Sequence, residues 1–260
     1  MRLVAFTAGL LWTIELALVL FDPLGVVFVL DFTAFRSWIV PAADGYAMPP
    51  GSYHFSNWIM TVDQNGNRVT PAAVDGGARV LFYGDSVTMA WGVGDGVTWP
   101  NIVTERLQLD GANYGRTGYS AAAIDELMQA TSGEACVVFL SVQNDAAILG
   151  DLPTSSTPGY KPMILRYVDF FRSLNGDGPQ DLAAYDAAMR RIASRPNTLV
   201  LALGHDYAET AAAYGALAVP MYRHRIAAAD AHADVAGNRE LADAIAPLVS
   251  DWLTGRDCAA

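Results

Sequence analysis

Short, uninterrupted apolar runs recur along the last two thirds of the chain, and segments with helical spacing lie between them. The strand candidates are residues 79–83, 135–142, 198–203 and 216–221, largely apolar, and a short second strand that ends at Asn113-Tyr114. Between them, residues 100–109, 120–130, 181–194 and 209–214 repeat apolar side chains at helical intervals. Residues 236–253 close the pattern as a long helix with Leu241, Ile245, Leu248, Val249 and Trp252 on one face. A strand that is apolar at every position is buried on both faces, and strands joined through helices run parallel. The expected fold is therefore α/β: three layers, α/β/α, around a mostly parallel sheet of five strands.

The chain has 260 residues, 52% of them hydrophobic and 17% charged, enough apolar side chains for one sizeable core. Its formal net charge is -11, with 16 Lys and Arg against 27 Asp and Glu. Nucleic acid is not an expected partner, because phosphate contacts need a cationic surface. Cys136 lies in an apolar run and reads as a small buried hydrophobe, while Cys258 sits near the C-terminus and reads as part of a mobile tail. Nothing in the sequence brings the two within bridging distance. Neither has metal-site spacing, no His-Glu-x-x-His occurs, and no metal or cofactor is expected.

Residues 3–21 form a 19-residue apolar run with one charge, Glu15. A spanning helix needs about 20 such residues. A secretory signal would have a shorter core and a small-residue cleavage site just beyond it, which this run lacks. Residues 1–32 are thus expected to be an uncleaved single-pass anchor. Arg2 before it and Asp22 after it orient the remainder outside the cytoplasm. Glu15 is expected to face another helix or to be protonated. Residues 33–77, with turn signals at Pro49-Pro50-Gly51 and Asn65-Gly66-Asn67, read as a linker packed on a catalytic domain of residues 78–260, with a short hairpin near Asn65-Gly66. Residues 150–180, rich in Pro, Gly and Ser, read as a cap over the cleft or as a surface excursion.

The chemistry-bearing residues follow the strands, where open α/β sheets bind ligands. Gly84-Asp85-Ser86 ends the first strand, Asn113-Tyr-Gly-Arg-Thr-Gly-Tyr-Ser120 follows the second, and Gln143-Asn144-Asp145 the third. Asp230-Ala-His232 precedes the last helix. In order and spacing these four blocks resemble the SGNH hydrolases, also called GDSL-like, over about residues 79–252. The N-terminal run resembles that of membrane-anchored bacterial members. The resemblance implies a flavodoxin-like sheet and a serine esterase, with Ser86 as nucleophile, His232 as its base and Asp230 orienting the imidazole. Ser86 N–H, Gly115 N–H and the Asn144 side-chain amide would form the oxyanion hole. Asp85, Gln143 and His205 would lie on the substrate side.

Two positions depart from the family pattern. Val142 stands where a glycine is usual, and Asp-Ala-His replaces Asp-x-x-His, leaving Asp234 as the nearest spare carboxylate. A nucleophile elbow Gly-x-Ser-x-Gly is absent, because Thr88 occupies the second glycine position, which argues against the α/β-hydrolases. His54 and His224 read as packing or solvated residues. The expected substrate is a small-molecule or glycan ester, such as an O-acetyl group on an envelope glycan. O-acyl transfer by the same triad, or an anchored binding domain without turnover, remain open, and the oligomeric state is not legible.

Overall fold

The computed structural model describes residues 2–21, 35, 38–42, 45–133, 135–142, 145, 162–165, 181–204, 208–209, 211–227, 230–256 and 258. In chain order the elements are helix α1 (Arg2–Phe21), strands β1 (Val40–Ala42), β2 (Gly45–Ala47), β3 (Gly51–His54), β4 (Ile59–Val62) and β5 (Arg79–Gly84), then α2 (Ser86–Met89), α3 (Trp99–Leu107), β6 (Asp110–Gly115), α4 (Ala121–Thr131) and β7 (Cys136–Ser141). They continue with α5 (Leu182–Ser194), β8 (Thr198–Leu203), β9 (Leu217–Val219), β10 (Arg225–Ala227), β11 (Asp230–Ala233) and α6 (Val235–Leu253).

Five strands pair in the order β6-β5-β7-β8-β9, all parallel. Side chains alternate across this sheet. Leu81, Tyr83, Val137, Phe139 and Val200 face a core shared with α4 and α5. Val80, Phe82, Val138, Leu140, Leu199 and Leu201 face a second core shared with α3 and α6. This is the expected three-layer α/β/α arrangement. The helices begin where their capping side chains stand: Thr98 accepts from Asn101 N–H, Ser120 from Ala123 N–H and Asp181 from Ala184 N–H. Residues 209–214, expected to be helical, are α-helical at Glu209 and Ala211 and end in a 3-10 turn at Ala212–Tyr214.

Two antiparallel pairs, β1 with β2 and β3 with β4, precede the sheet. The turn at Asn65-Gly66 closes over Asp63, whose carboxylate accepts from the Asn65 and Asn67 N–H groups. Beyond it Arg68 bridges Val62 and Asn113, joining this segment to the edge strand β6.

The cysteines correct the sequence expectation. Cys136 and Cys258 form a disulfide, with their Cα atoms 5.3 Å apart. The return of the chain along α6 brings the tail beneath the start of the sheet, where Arg79 N–H donates to Cys258 O at 3.4 Å. Cys258 is buried there rather than mobile.

Among the described residues no helix is long and apolar enough to cross a membrane. Helix α1 exposes Phe6, Trp12, Leu20 and Phe21. Glu15 interrupts its apolar surface, and its carboxylate accepts from Met163 N–H (2.7 Å) and Ile164 N–H (3.0 Å) at the start of a short helical turn. A carboxylate at the N-terminal N–H groups of a turn is an electrostatically favourable partner. Apart from residues 162–165, the segment 150–180 lies outside the described residues.

Candidate active site

Gly84 ends β5 with φ +156°, and a Cβ there would fall 2.1 Å from Thr88 Oγ1 and 2.8 Å from Leu140 O. Only glycine permits the chain to turn so tightly between two strands and a helix. Asp85 then caps α2, its Oδ1 accepting from Val87 N–H at 2.8 Å. Ser86 is the first residue of α2, buried, with its backbone N–H at a helix start and donating to none of the described residues.

His232 reaches Ser86 from β11. Its Nε2 lies 2.7 Å from Ser86 Oγ. The β10–β11 hairpin holds it there: Ile226 packs where a side chain on Gly92, just after α2, would stand, 1.9 Å from such a Cβ. Strands of three and four residues give no readable periodicity, so the sequence did not reveal the hairpin that carries His232. Asp234 is not a spare carboxylate. It caps α6 through Gly237 N–H at 2.8 Å. Asn238 fixes the same corner, accepting from Trp99 N–H and donating to Ala233 O and Asp234 O, all at 3.0 Å.

Gly115 approaches α2 so closely that a Cβ would lie 2.1 Å from Met89 N. Its N–H, expected to be free for an oxyanion, instead donates to Asn113 Oδ1 at 2.9 Å. The Asn113 amide meanwhile donates to Thr88 O at 3.0 Å. Asn113 thus clamps the end of β6 to the serine-bearing helix, a role its strand position did not signal. Arg68 supports α2 from beyond. Its guanidinium donates to Met89 O and Ala90 O, both at 2.7 Å, and to Val93 O, and pairs with Asp95 at 3.0 Å. Burial lowers its pKa to about 10, with Asp95 opposing.

Asp145 is buried, and its Oδ2 accepts from Ser141 Oγ (2.9 Å) and Val142 N–H (2.9 Å). Val142, in the position usually held by glycine, thereby ties Asp145 to the end of β7. Burial pushes the Asp145 carboxyl well above its usual range, and the charge of Asp85 adds to the rise. Gln143, Asn144 and His205 lie outside the described residues. So does the side chain of Asp230, whose backbone pairs with Ala227. His54 is exposed on β3, and His224 Nδ1 lies 3.0 Å from Glu240 Oε1 at the surface. No cluster of His, Cys, Asp and Glu among the described residues is suited to a metal ion.

The arrangement offers a serine hydroxyl at a helix start, within hydrogen-bond reach of an imidazole. A base at that distance can accept the hydroxyl proton as the oxygen attacks an electrophile.

No protein-family model and no curated protein matches the chain. Among solved structures, it is similar to TesA at 17% identity and a TM-score of 0.44, over 67% of this chain and 99% of that one. It is similar to a Corynascus thermopiles (Myceliophthora fergusii) carbohydrate esterase family 2 enzyme with its carbohydrate binding domain, at 14% identity and a TM-score of 0.48, over 75% of this chain and 71% of that one. It is likewise similar to the inhibitor-bound form of M. Smegmatis aryl esterase, at 14% identity and a TM-score of 0.42, over 67% and 99%.

Proposed function

We propose that the chain is a serine hydrolase of carboxylic esters. The observation that carries this reading is the 2.7 Å contact between Ser86 Oγ and His232 Nε2. Ser86 Oγ attacks the ester carbonyl while its proton passes to His232 Nε2. The imidazolium then protonates the leaving alcohol, and water, deprotonated by the same nitrogen, hydrolyses the acyl-Ser86 intermediate. Asp230, two residues before His232 on β11, is the proposed partner of the other ring nitrogen, and Asn144 a proposed oxyanion donor.

An oxyanion hole needs N–H groups not already engaged. Gly115 fails this requirement. Ser86 N–H meets it, donating to none of the described residues. We assign one backbone donor to Ser86.

The disulfide supports an extracytoplasmic location, because such bonds persist in oxidising compartments. The exposed apolar side chains of α1 suit association with a membrane surface. A short acyl group on an envelope glycan is the substrate that fits this location.

The test is hydrolysis of p-nitrophenyl acetate by the full chain beside Ser86→Ala. Turnover that disappears in the variant supports the reading. Equal rates in the two proteins would remove Ser86 as nucleophile.

A further inference from the structure

A cavity of about 400 Å³, lined by neither Ser86 nor His232, lies beside the edge strand β6. Tyr114 of β6, Arg116 just beyond it and Thr131 of helix α4 form one wall. Tyr46 and the turn at Asn65–Asn67 form the other.

Arg116 sets the chemistry of this cavity. Its residue is 8% exposed, so the protein screens its charge from bulk water everywhere except along the cavity it lines. One guanidinium nitrogen donates to Asn67 Oδ1 at 2.8 Å and another to Gly115 O at 3.1 Å. Both acceptors are neutral. A guanidinium carries five N–H donors, and the others meet no acceptor among the described residues. No carboxylate among the described residues pairs with it either. The nearby phenols do not supply the missing charge. Burial holds the pKa values of Tyr46 and Tyr83 far above the ordinary range, despite the opposing pull of Arg116.

A second buried arginine shows the contrast. Arg68 has a carboxylate and three carbonyls around it and does not line this cavity. Burying a charge without a counterion is costly, and a chain of net charge -11 has ample carboxylates from which one could have been placed. The counterion that fits is one that enters from solution into the space beside the charge.

We propose that this cavity is a binding site for a small oxyanion, a carboxylate or a phosphate monoester, held by Arg116. Tyr114 and Asn65 are also lining residues that carry polar groups for the body of the ligand. A guanidinium suits either anion, since its remaining N–H groups can bind two oxygens at once. The site is independent of ester hydrolysis: its lining includes neither Ser86 nor His232.

The test is calorimetric titration of the full chain, at constant ionic strength, with sodium acetate, sodium glucuronate, sodium phosphate and glycerol 3-phosphate. Wild type is expected to bind at least one of them saturably, and Arg116→Gln to bind it about tenfold more weakly or worse. Carboxylates ahead of phosphates, or the reverse, identify the source of the anion. Ala47→Phe, which fills the cavity and leaves the charge, is expected to abolish binding and stands in should Arg116→Gln not fold. Ser86→Ala is expected to bind as wild type does. No saturable binding of any of the four, undiminished binding in Ala47→Phe or Arg116→Gln, or loss of binding in Ser86→Ala would overturn the proposal.

Discussion

Ser86 Oγ and His232 Nε2 lie 2.7 Å apart although 146 residues separate them in the chain. The contact depends on a hairpin leaning on the turn after α2, where Ile226 fills the space that glycine leaves at position 92. Removing the base should therefore lower kcat for ester hydrolysis by about 10²- to 10⁴-fold in His232→Ala. Two groups that act in one proton transfer are not additive, so the double variant with Ser86→Ala should be no slower than Ser86→Ala alone. Steady-state kinetics on the three proteins, with circular dichroism to confirm the fold, check this. A double variant slower than both singles by the product of their effects would show that the pair does not act together.

Gly92→Ala should act on the same geometry from a distance. Its φ of +88° disfavours any Cβ, and the Cβ would strike Ile226. Ile226→Ala in the same chain removes the clash but not the backbone strain. The expected result is that Gly92→Ala lowers kcat at least tenfold and that adding Ile226→Ala restores part of it. No recovery would mean that the backbone conformation, rather than the hairpin contact, controls the placement of His232.

Arg68→Ala is expected to destabilise the protein by about 3–5 kcal/mol, the usual cost of leaving a buried charge unpaired. Asp95 and the carbonyls of Met89, Ala90 and Val93 would lose their donor. Arg68→Lys should recover only part of this, since an ammonium cannot reach four acceptors in the geometry of a planar fork. Urea denaturation of the three proteins measures it. An Arg68→Lys variant as stable as wild type would show that charge, not the fork, is what the site needs.

Much of this architecture was legible before any coordinates. The strands at residues 79–83, 135–142 and 198–203 are largely apolar at consecutive positions because both faces of the sheet are covered. The four motif blocks led to the pairing of Ser86 with His232 through a family resemblance rather than through periodicity. The rest had no local signal. The β10–β11 hairpin is held by packing of Ile226 against another part of the chain. Asn113 is an unfavourable strand residue whose position is explained only by its two bonds, to Thr88 O and Gly115 N–H. That second bond is also why Gly115 was misread as an open donor. Arg116 likewise carries no local signal, since its burial and its neutral partners are set by the surrounding chain.

Asp145 should make stability fall with rising pH. Burial, reinforced by the charge of Asp85, raises its folded pKa well above the ordinary 3.8. Between those two pH values the folded chain holds a proton that the unfolded chain has lost. Its contribution is therefore fully present below pH 3.8 and is lost progressively as pH climbs to the folded value. Asp145→Asn keeps an acceptor for Ser141 and Val142 and does not titrate. It should flatten the decline and leave the variant at least as stable as wild type at neutral pH. Thermal unfolding from pH 4 to 8 tests this, and a decline of equal slope in both proteins would assign it to another group.

The Cys136–Cys258 bond closes a loop across 122 residues of sequence separation, so it restricts nearly half of the unfolded chain. In the chain-entropy account a loop of that order contributes about 4–5 kcal/mol. For a domain of this size that corresponds to a lowering of Tm by roughly 10–20 °C on reduction. The bond also pins the tail beneath β5, where Arg79 N–H meets Cys258 O, so its loss should free the last residues before the core melts. Cys258→Ala should reproduce the reduced wild type and should not respond to reductant. Melting curves with and without dithiothreitol, with thiols counted after unfolding, give the answer. Complete reduction without a change in Tm would mean that the tail, once folded, holds its place without the covalent link, and that the unfolded chain is already compact enough for the loop to cost little.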